Sequence, residues 1–199
     1  MSLGFHQCLF CGSLHQQPSG FCSHCFQFFS SSPGLFQKKS SLPNHHYVLN
    51  WSKDKTAPVD LLIKQLKAEP TSGIFQYWGN LMAMECLKLD LEGICIVPAA
   101  AKNPGAYDHA FALAQILSQQ LRLPISNILR RKDFKSAKTL SKSERATSIS
   151  FYSENFSHPG DILFVDDVLT TGTTALESIK ALNTKKKVHI VTLVNRLFL

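Results

Sequence analysis

The chain has 199 residues, 44% of them hydrophobic and only 18% charged, which fits one domain of ordinary size plus a small appendage and excludes general disorder. Lys and Arg number 21 against 14 Asp and Glu, for a formal charge of +7; a basic balance favours phosphates, nucleotides or nucleic acid as partners, though on charge alone a solvated basic surface is the better account. No apolar run reaches the roughly 20 residues of a membrane span, and the start MSLGFHQCLFCG lacks a basic segment ahead of a long apolar stretch, so the protein is expected in the cytoplasm without membrane insertion.

The first 25 residues hold four of the six cysteines, as CLFC (Cys8, Cys11) and CSHC (Cys22, Cys25) with ten residues between the pairs. Thiolates two residues apart can bite one metal from a tight turn, and two such turns complete the tetrahedron that Zn²⁺ accepts. Four sulfurs leave no open position, so the zinc is expected to be structural. The alternative is two disulfides or idle thiols, and disulfides rarely persist in the cytosol. His6, His15 and His24 lie close enough to substitute. A segment this short lacks a core of its own, and metal binding would supply much of its folding energy. Phe10, Phe21, Phe26, Phe28 and Phe29 are expected to form its small core and its seam to the rest of the chain. The stretch from Ser30 to Asn44, rich in Ser, Pro and Lys, reads as a linker. The predicted division is therefore 1–45 for the zinc finger and linker and 46–199 for the main domain.

Beyond the linker, strands and helices alternate. His46–Trp51 is strand-like. Ala57–Ala68 is helical, with Leu62, Ile63 and Leu66 on one face. Gly73–Leu89 carries a second helix. Gly93–Pro98 is a short apolar strand stopped by proline. Tyr107–Leu121 has apolar residues at helical spacing, and Pro124–Leu129 reads as another strand. Asp161–Asp167 is a strand with four consecutive apolar residues, as in a strand covered on both faces. Thr173–Asn183 is a helix with a capping box from Thr174 and Glu177, and Val188–Val194 is the last strand. This alternation implies a parallel sheet with right-handed crossovers. From Arg130 to Asn155 the pattern gives way to a basic, polar insertion. Cys86 and Cys95 sit in apolar surroundings and read as buried thiols. Trp51, Trp78 and Tyr77 read as packing residues.

The stretch ILFVDDVLTTGTT, Ile162 to Thr174, carries the chemistry. Ligands of open parallel sheets bind at the carboxyl ends of the strands, where Asp166 and Asp167 are expected. The following turn opens a helix whose first amides suit a phosphate. Thr170, Thr171, Thr173 and Thr174 add hydroxyl donors, and Gly172 allows the tight turn. Two carboxylates beside that phosphate suit vicinal sugar hydroxyls, or Mg²⁺ through its waters. Together the parts describe a site for a sugar 5-phosphate. The apolar strand ending in acids also resembles a Walker B segment, but a P-loop nucleoside triphosphatase is not expected, because no G-x-x-x-x-G-K-[ST] occurs in the chain.

The same thirteen residues resemble the phosphoribosyl pyrophosphate motif of type I phosphoribosyltransferases. The resemblance implies an α/β core with a parallel sheet. It assigns the ribose hydroxyls to Asp166 and Asp167 and the 5-phosphate to Thr170–Thr174. It also implies Mg²⁺ on the pyrophosphate and a loop holding that group. Ile96–Asn103 is positioned as the loop, with Ala99, Ala100 and Lys102 as its contacts, although Lys102 also reads as an exposed loop lysine. With the cysteine quartet in front, nearly the whole chain is similar to the ComF competence family. The resemblance extends to the segment LLIKQLKAEPTSG and to the basic insertion with Arg130 and Arg145. It departs from the family where GAYDHA, Ala137 and Ser148 replace an R-G-F-N-Q-type run, a Gln and an Asn. ComF membership implies a role in natural transformation, handling incoming single-stranded DNA, with a competence helicase or another DNA-processing protein as partner. Arg130, Arg131, Lys132 and Lys135, with Lys138 and Lys142, would then track a strand's phosphates. Three readings stay open: a Mg²⁺-dependent transferase with an unidentified nitrogen acceptor, a binding protein on a transferase fold, and a zinc-tethered adaptor. Neither Asp133 nor Glu144 stands out as a general base.

Overall fold

The computed structural model describes residues 6–31, 40, 42–51, 57–68, 73–101, 107–131, 150–154 and 158–196. A short antiparallel pair, β1 (His6–Gln7) and β2 (Leu14–His15), leads into helix α1 (Ser23–Ser30). The main domain then follows as β3 (His45–Asn50), α2 (Ala57–Ala68), α3 (Gly73–Cys86), β4 (Cys95–Pro98), α4 (His109–Leu121), β5 (Leu129–Arg131), β6 (Phe151–Ser153), β7 (Ile162–Leu169), α5 (Thr173–Leu182) and β8 (Val188–Asn195). β3, β8, β7 and β4 lie side by side in that order, all parallel. The architecture is α/β with a four-stranded parallel sheet and an N-terminal four-cysteine module.

The apolar run of β7 is explained by cover on both faces. Leu163 and Val165 join the cluster built on Leu62, Trp78, Met82 and Leu113, whereas Ile162 and Phe164 join Leu129, Ala175 and Leu182 under α5. All four are fully buried. At about 1.5–3 kcal/mol per buried aliphatic or aromatic side chain, this strand anchors the core. α3 and α4 pack against each other at Gly79, where an added Cβ would stand 2.7 Å from Ile116 Cδ1.

Several boundaries differ from those expected. Pro124–Leu129 is not a regular strand: Ile125 makes a single parallel bridge to Ile96. The strand begins at Leu129 and pairs antiparallel with Phe151–Ser153 across the two ends of the insertion. Short apolar runs between turns do not reveal their partner, so their extent is poorly marked in sequence. α3 stops at Cys86, before Leu89, and α4 begins at His109, capped by Asp108, whose Oδ1 accepts from the Phe111 amide at 3.0 Å. No capping box forms at α5. Its N-cap is Gly172, and Glu177 pairs with Lys180 at 2.6 Å.

The cysteine module is seated on the main domain. Cys8, Phe21, Cys25 and Phe29 share one apolar cluster with Leu49, Leu62 and Trp78. The Trp78 indole N–H donates to the Ser19 carbonyl at 3.0 Å. Of the five phenylalanines expected in core and seam, Phe21 and Phe29 are buried and Phe26 is partly covered, but Phe10 and Phe28 are 50% and 62% exposed. Among the described residues, no helix is long and apolar enough to cross a membrane.

Candidate functional site

A cleft of about 640 Å³ opens along the carboxyl edge of the sheet. Its floor comes from β7, which runs past the acids to Leu169. Asp166 and Asp167 therefore stand within the strand's last turns of pleat, not at its tip as expected. Both line the cleft, together with Thr170 and Thr174. The Asp167 amide donates to Asp166 Oδ1 at 2.8 Å, and Lys67 of α2 reaches Asp167 Oδ2 at 3.7 Å. Burial, and then the neighbouring charge of Asp167, push the Asp166 carboxyl well above the usual carboxylate range, while Lys67 acts in the opposite sense.

Past Leu169 the chain turns sharply into α5. Gly172 has φ +76, in the left-handed region where a Cβ is strained, and an added Cβ would also meet Leu42 Cδ1 at 3.2 Å. The Thr171 and Thr173 hydroxyls lie 2.9 Å apart, with the Thr173 amide 3.4 Å from Thr171 Oγ1. The first amides of a helix have no carbonyl partner within it, and this ten-residue helix directs its positive end toward the cleft. The turn thus offers amides, hydroxyls and a partial positive charge beside a pair of carboxylates.

The opposite wall comes from β4 and α4. Ala99, Ala100 and Ala101 follow Pro98, and the Ala99 amide donates to the Val165 carbonyl at 2.8 Å, holding the loop's start against β7. Tyr107, Asp108 and His109 complete that wall. Lys102, expected in the loop, lies outside the described residues, as do Lys132, Lys135, Asp133, Glu144 and Arg145 of the insertion.

Arg131 lines the cleft and sits over the Phe151 ring at 5.9 Å. Arg130 contacts Glu154 at 3.2 Å and donates to the Asn127 carbonyl at 3.0 Å. Both arginines border a second, smaller cleft of about 320 Å³ that shares Ala100, Ala101 and Asp108 with the first.

Two residues of the main cleft were read from sequence as packing or not singled out at all. Trp51 and Arg196 form one side of it, the guanidinium lying 3.9 Å from the indole centroid. They come from the ends of β3 and β8, and nothing in the sequence indicates that these strands are neighbours. Trp78 and Tyr77, by contrast, do pack as expected, edge to face at 5.4 Å.

In the N-terminal module the four sulfurs of Cys8, Cys11, Cys22 and Cys25 lie within 4.8 Å of one another. Zn–S bonds of about 2.3 Å put tetrahedral sulfurs about 3.8 Å apart, and Cys11 and Cys22 stand at 3.8 Å. None of the six cysteines forms a disulfide. Gly12, at φ +74, lets the first loop close with its amide on the Cys8 carbonyl at 2.9 Å. Cys22 is the N-cap of α1 and Cys25 lies in its first turn. The Ser13 hydroxyl, 3.1 Å from Cys11 Sγ, draws that thiol down to about 6, whereas burial pushes Cys25 upward. The donor set fits a structural zinc ion. Cys86 and Cys95 are buried elsewhere, and burial raises Cys86 to about 12.

No protein-family model and no curated protein matches the chain. Among solved structures it is similar to a hypoxanthine-guanine phosphoribosyltransferase from Bacillus anthracis, at 14% identity and TM-score 0.43, over 60% of this chain and 68% of that one. It is also similar to orotate phosphoribosyltransferase from Aeropyrum pernix, at 20% identity and TM-score 0.41, over 67% and 65%. A third likeness is to UMP synthase of Leishmania donovani, at 20% identity and TM-score 0.39, covering 67% of this chain and 24% of that one.

Proposed function

We propose that the cleft binds phosphoribosyl pyrophosphate with Mg²⁺. One observation carries the reading: Asp166, Asp167, Thr170 and Thr174 line a single cleft, and a glycine in the left-handed region opens α5 beside them. The 5-phosphate lies on the turn of Thr170–Thr174, where amides, hydroxyls and the helix dipole act together. The ribose hydroxyls donate to Asp166 and Asp167. Mg²⁺, when bound, would neutralise pyrophosphate charge, and Asp166 and Asp167 are the residues that would hold it. The loop beginning at Ala99 and Ala100 holds the pyrophosphate from the other wall, with Arg131 near enough to share its charge. Lys67, 3.7 Å from Asp167 Oδ2, adds a positive charge beside the pair.

The finer assignment, a ComF-like protein acting in natural transformation, rests on the cysteine quartet and this motif occurring in one chain. A DNA partner has weaker support than the sugar phosphate. Arg130 is engaged with Glu154 and Asn127, and Arg131 turns into the cleft, so the described end of the basic segment is not a simple outward track of cations. The transferase reading shares the ligand and differs only in turnover.

Calorimetry with phosphoribosyl pyrophosphate, with and without Mg²⁺, tests the site. The double change Asp166→Asn, Asp167→Asn removes two charge-assisted partners of about 1.5–3 kcal/mol each, and affinity is expected to drop about 100-fold or more. Gly172→Val strains the turn and is expected to abolish binding. Unchanged affinity in both variants overturns the assignment. Pyrophosphate released on adding a nucleobase or amine, and lost in the double variant, would establish the transferase.

A further inference from the structure

The four sulfurs of the N-terminal module are not equivalent. Cys8 and Cys25 are 3% and 4% exposed and belong to the apolar cluster that the module shares with the main domain. Cys11 is exposed and Cys22 half-buried, and their sulfurs stand 3.8 Å apart. The quartet thus divides into an inner pair in the core and an outer pair at the surface. Each pair takes one cysteine from either C-x-x-C.

The backbone separates the pairs in the same way. Cys8 is tied on both sides: its amide donates to the Ser13 carbonyl at 2.8 Å, and its carbonyl accepts from the Gly12 amide at 2.9 Å. Cys25 lies within α1. Cys11, by contrast, is followed by Gly12, where a Cβ would meet nothing within 4 Å. Cys22 is an extended N-cap residue whose side chain makes no capping bond. The outer sulfurs therefore have room to swing and the inner ones do not. A disulfide needs sulfurs about 2.05 Å apart, so Cys11 and Cys22 have roughly 1.8 Å to close. Cys11 Sγ lies 3.1 Å from the Ser13 hydroxyl, a donor that favours the reactive thiolate at the most exposed of the four positions.

We propose that Cys11 and Cys22 form a peroxide-reactive pair, whose disulfide takes over from the metal as the staple of the module. The proposal rests on the fit of the four cysteines to zinc and is independent of what the cleft binds. The Cys11 thiolate attacks one oxygen of hydrogen peroxide. The O–O bond breaks, hydroxide leaves, and Cys11 becomes a sulfenic acid. The Cys22 thiolate then attacks that sulfur. The S–O bond breaks, a second hydroxide leaves, and the Cys11–Cys22 bond forms. Two protons from solvent turn the hydroxides into water. The sulfurs have lost two electrons and the peroxide has gained them. The metal site has then lost two of its four ligands. Cys8 and Cys25 remain as buried thiols, which pack as small apolar side chains, so Phe21 and Phe29 stay seated against Leu49 and Trp78. The new bond closes a loop with ten residues between its ends, and closing a loop stabilises by restricting the unfolded chain. A thiol reductant reverses the exchange.

The test uses the full wild-type chain, purified under reducing conditions and treated with one equivalent of hydrogen peroxide. A zinc indicator dye follows the metal, peptide mass mapping after alkylation locates the bond, and melting follows the fold. About one zinc is expected to leave per chain, in step with one disulfide, and the mapped bond is expected to join Cys11 to Cys22. Cys8 and Cys25 are expected to be alkylated only after denaturation. The oxidised, zinc-free chain is expected to melt about 5 °C or more above reduced chain stripped of metal by a chelator. Dithiothreitol followed by zinc is expected to restore the starting state. A bond within either C-x-x-C, a bond between chains, or oxidation of Cys86 or Cys95 with zinc retained overturns the pair. Oxidised chain that melts no higher than the stripped, reduced chain overturns the staple. Less than half a zinc per chain before peroxide overturns the zinc site and the exchange together, whereas zinc present but unmoved by peroxide overturns the exchange alone.

Discussion

Asp166 lines the cleft and is also a liability. Its carboxyl is held above the usual range by burial and by Asp167, so the native state keeps that proton longer than the unfolded chain does. Stability therefore falls as pH rises above the ordinary carboxylate range toward the native value. Asp166→Asn removes this cost and keeps an oxygen for the Asp167 amide. Melting temperature at pH 7.5 is expected to rise by about 2–4 °C per kcal/mol relieved, and the gain is expected to vanish near pH 4. A variant no more stable than wild type at pH 7.5 would contradict it. His45 has the opposite sign. Burial, with His46 adding to it, draws this imidazole down to about 4, and it stays neutral between the Ser40 hydroxyl at 2.7 Å and Thr192 at 2.9 Å. Its contribution is complete above about pH 6.5 and is lost as pH falls toward 4, on the order of 2–3 kcal/mol. Replacing it with Gln is expected to flatten the stability–pH curve over that window, as measured by urea unfolding at several pH values. An unchanged slope would place the acid sensitivity elsewhere.

At the scale of elements, the alternation of strands and helices was legible because each strand is an apolar run and each helix has a face. α2 appears with its expected bounds, Ala57–Ala68, and the turn between β7 and α5 falls at Gly172, where the glycine among the threonines allows it. What the sequence hides is adjacency. Trp51 follows β3 and Arg196 follows β8, and only the sheet order brings them within 3.9 Å. Periodicity identifies a strand's faces but not its neighbours, so Trp51 looked like a packing residue. The capping box failed for a related reason. A Thr–Glu spacing marks a helix start only if the cap residue is extended, and here a left-handed glycine takes that place. Gly79 shows how tightly the helices meet. Gly79→Ala gains about 1 kcal/mol of helix propensity but presses a methyl into Ile116, an overpacking cost of about 1–3 kcal/mol. The net effect is expected to be a destabilisation of up to about 2 kcal/mol in chemical denaturation. Adding Ile116→Val, which trims the contact, is expected to recover part of it.

For the molecule as a whole, the cysteine module and the sheet share one apolar cluster. Cys22→Ser is therefore expected to do more than release zinc. The bound metal should drop from one per chain to less than half by metal analysis. The melting temperature of the main domain should also fall, because Phe21 and Phe29 no longer cover Leu49 and Trp78. Zinc loss without any shift in melting would mean that the module rides on the domain without supporting it. The parallel sheet has a consequence for the order in which the protein is made. β3 pairs with β8 from His45 opposite Ile190 to Asn50 opposite Asn195. The first core strand to leave the ribosome must therefore wait for the last. At about 5–20 residues per second, that wait is roughly 7–30 s. Meanwhile the module has all four thiols in hand and can take its metal. The four-cysteine module can thus close while the strand behind it still has no partner, and stalling translation anywhere before residue 188 would strand that edge in the open.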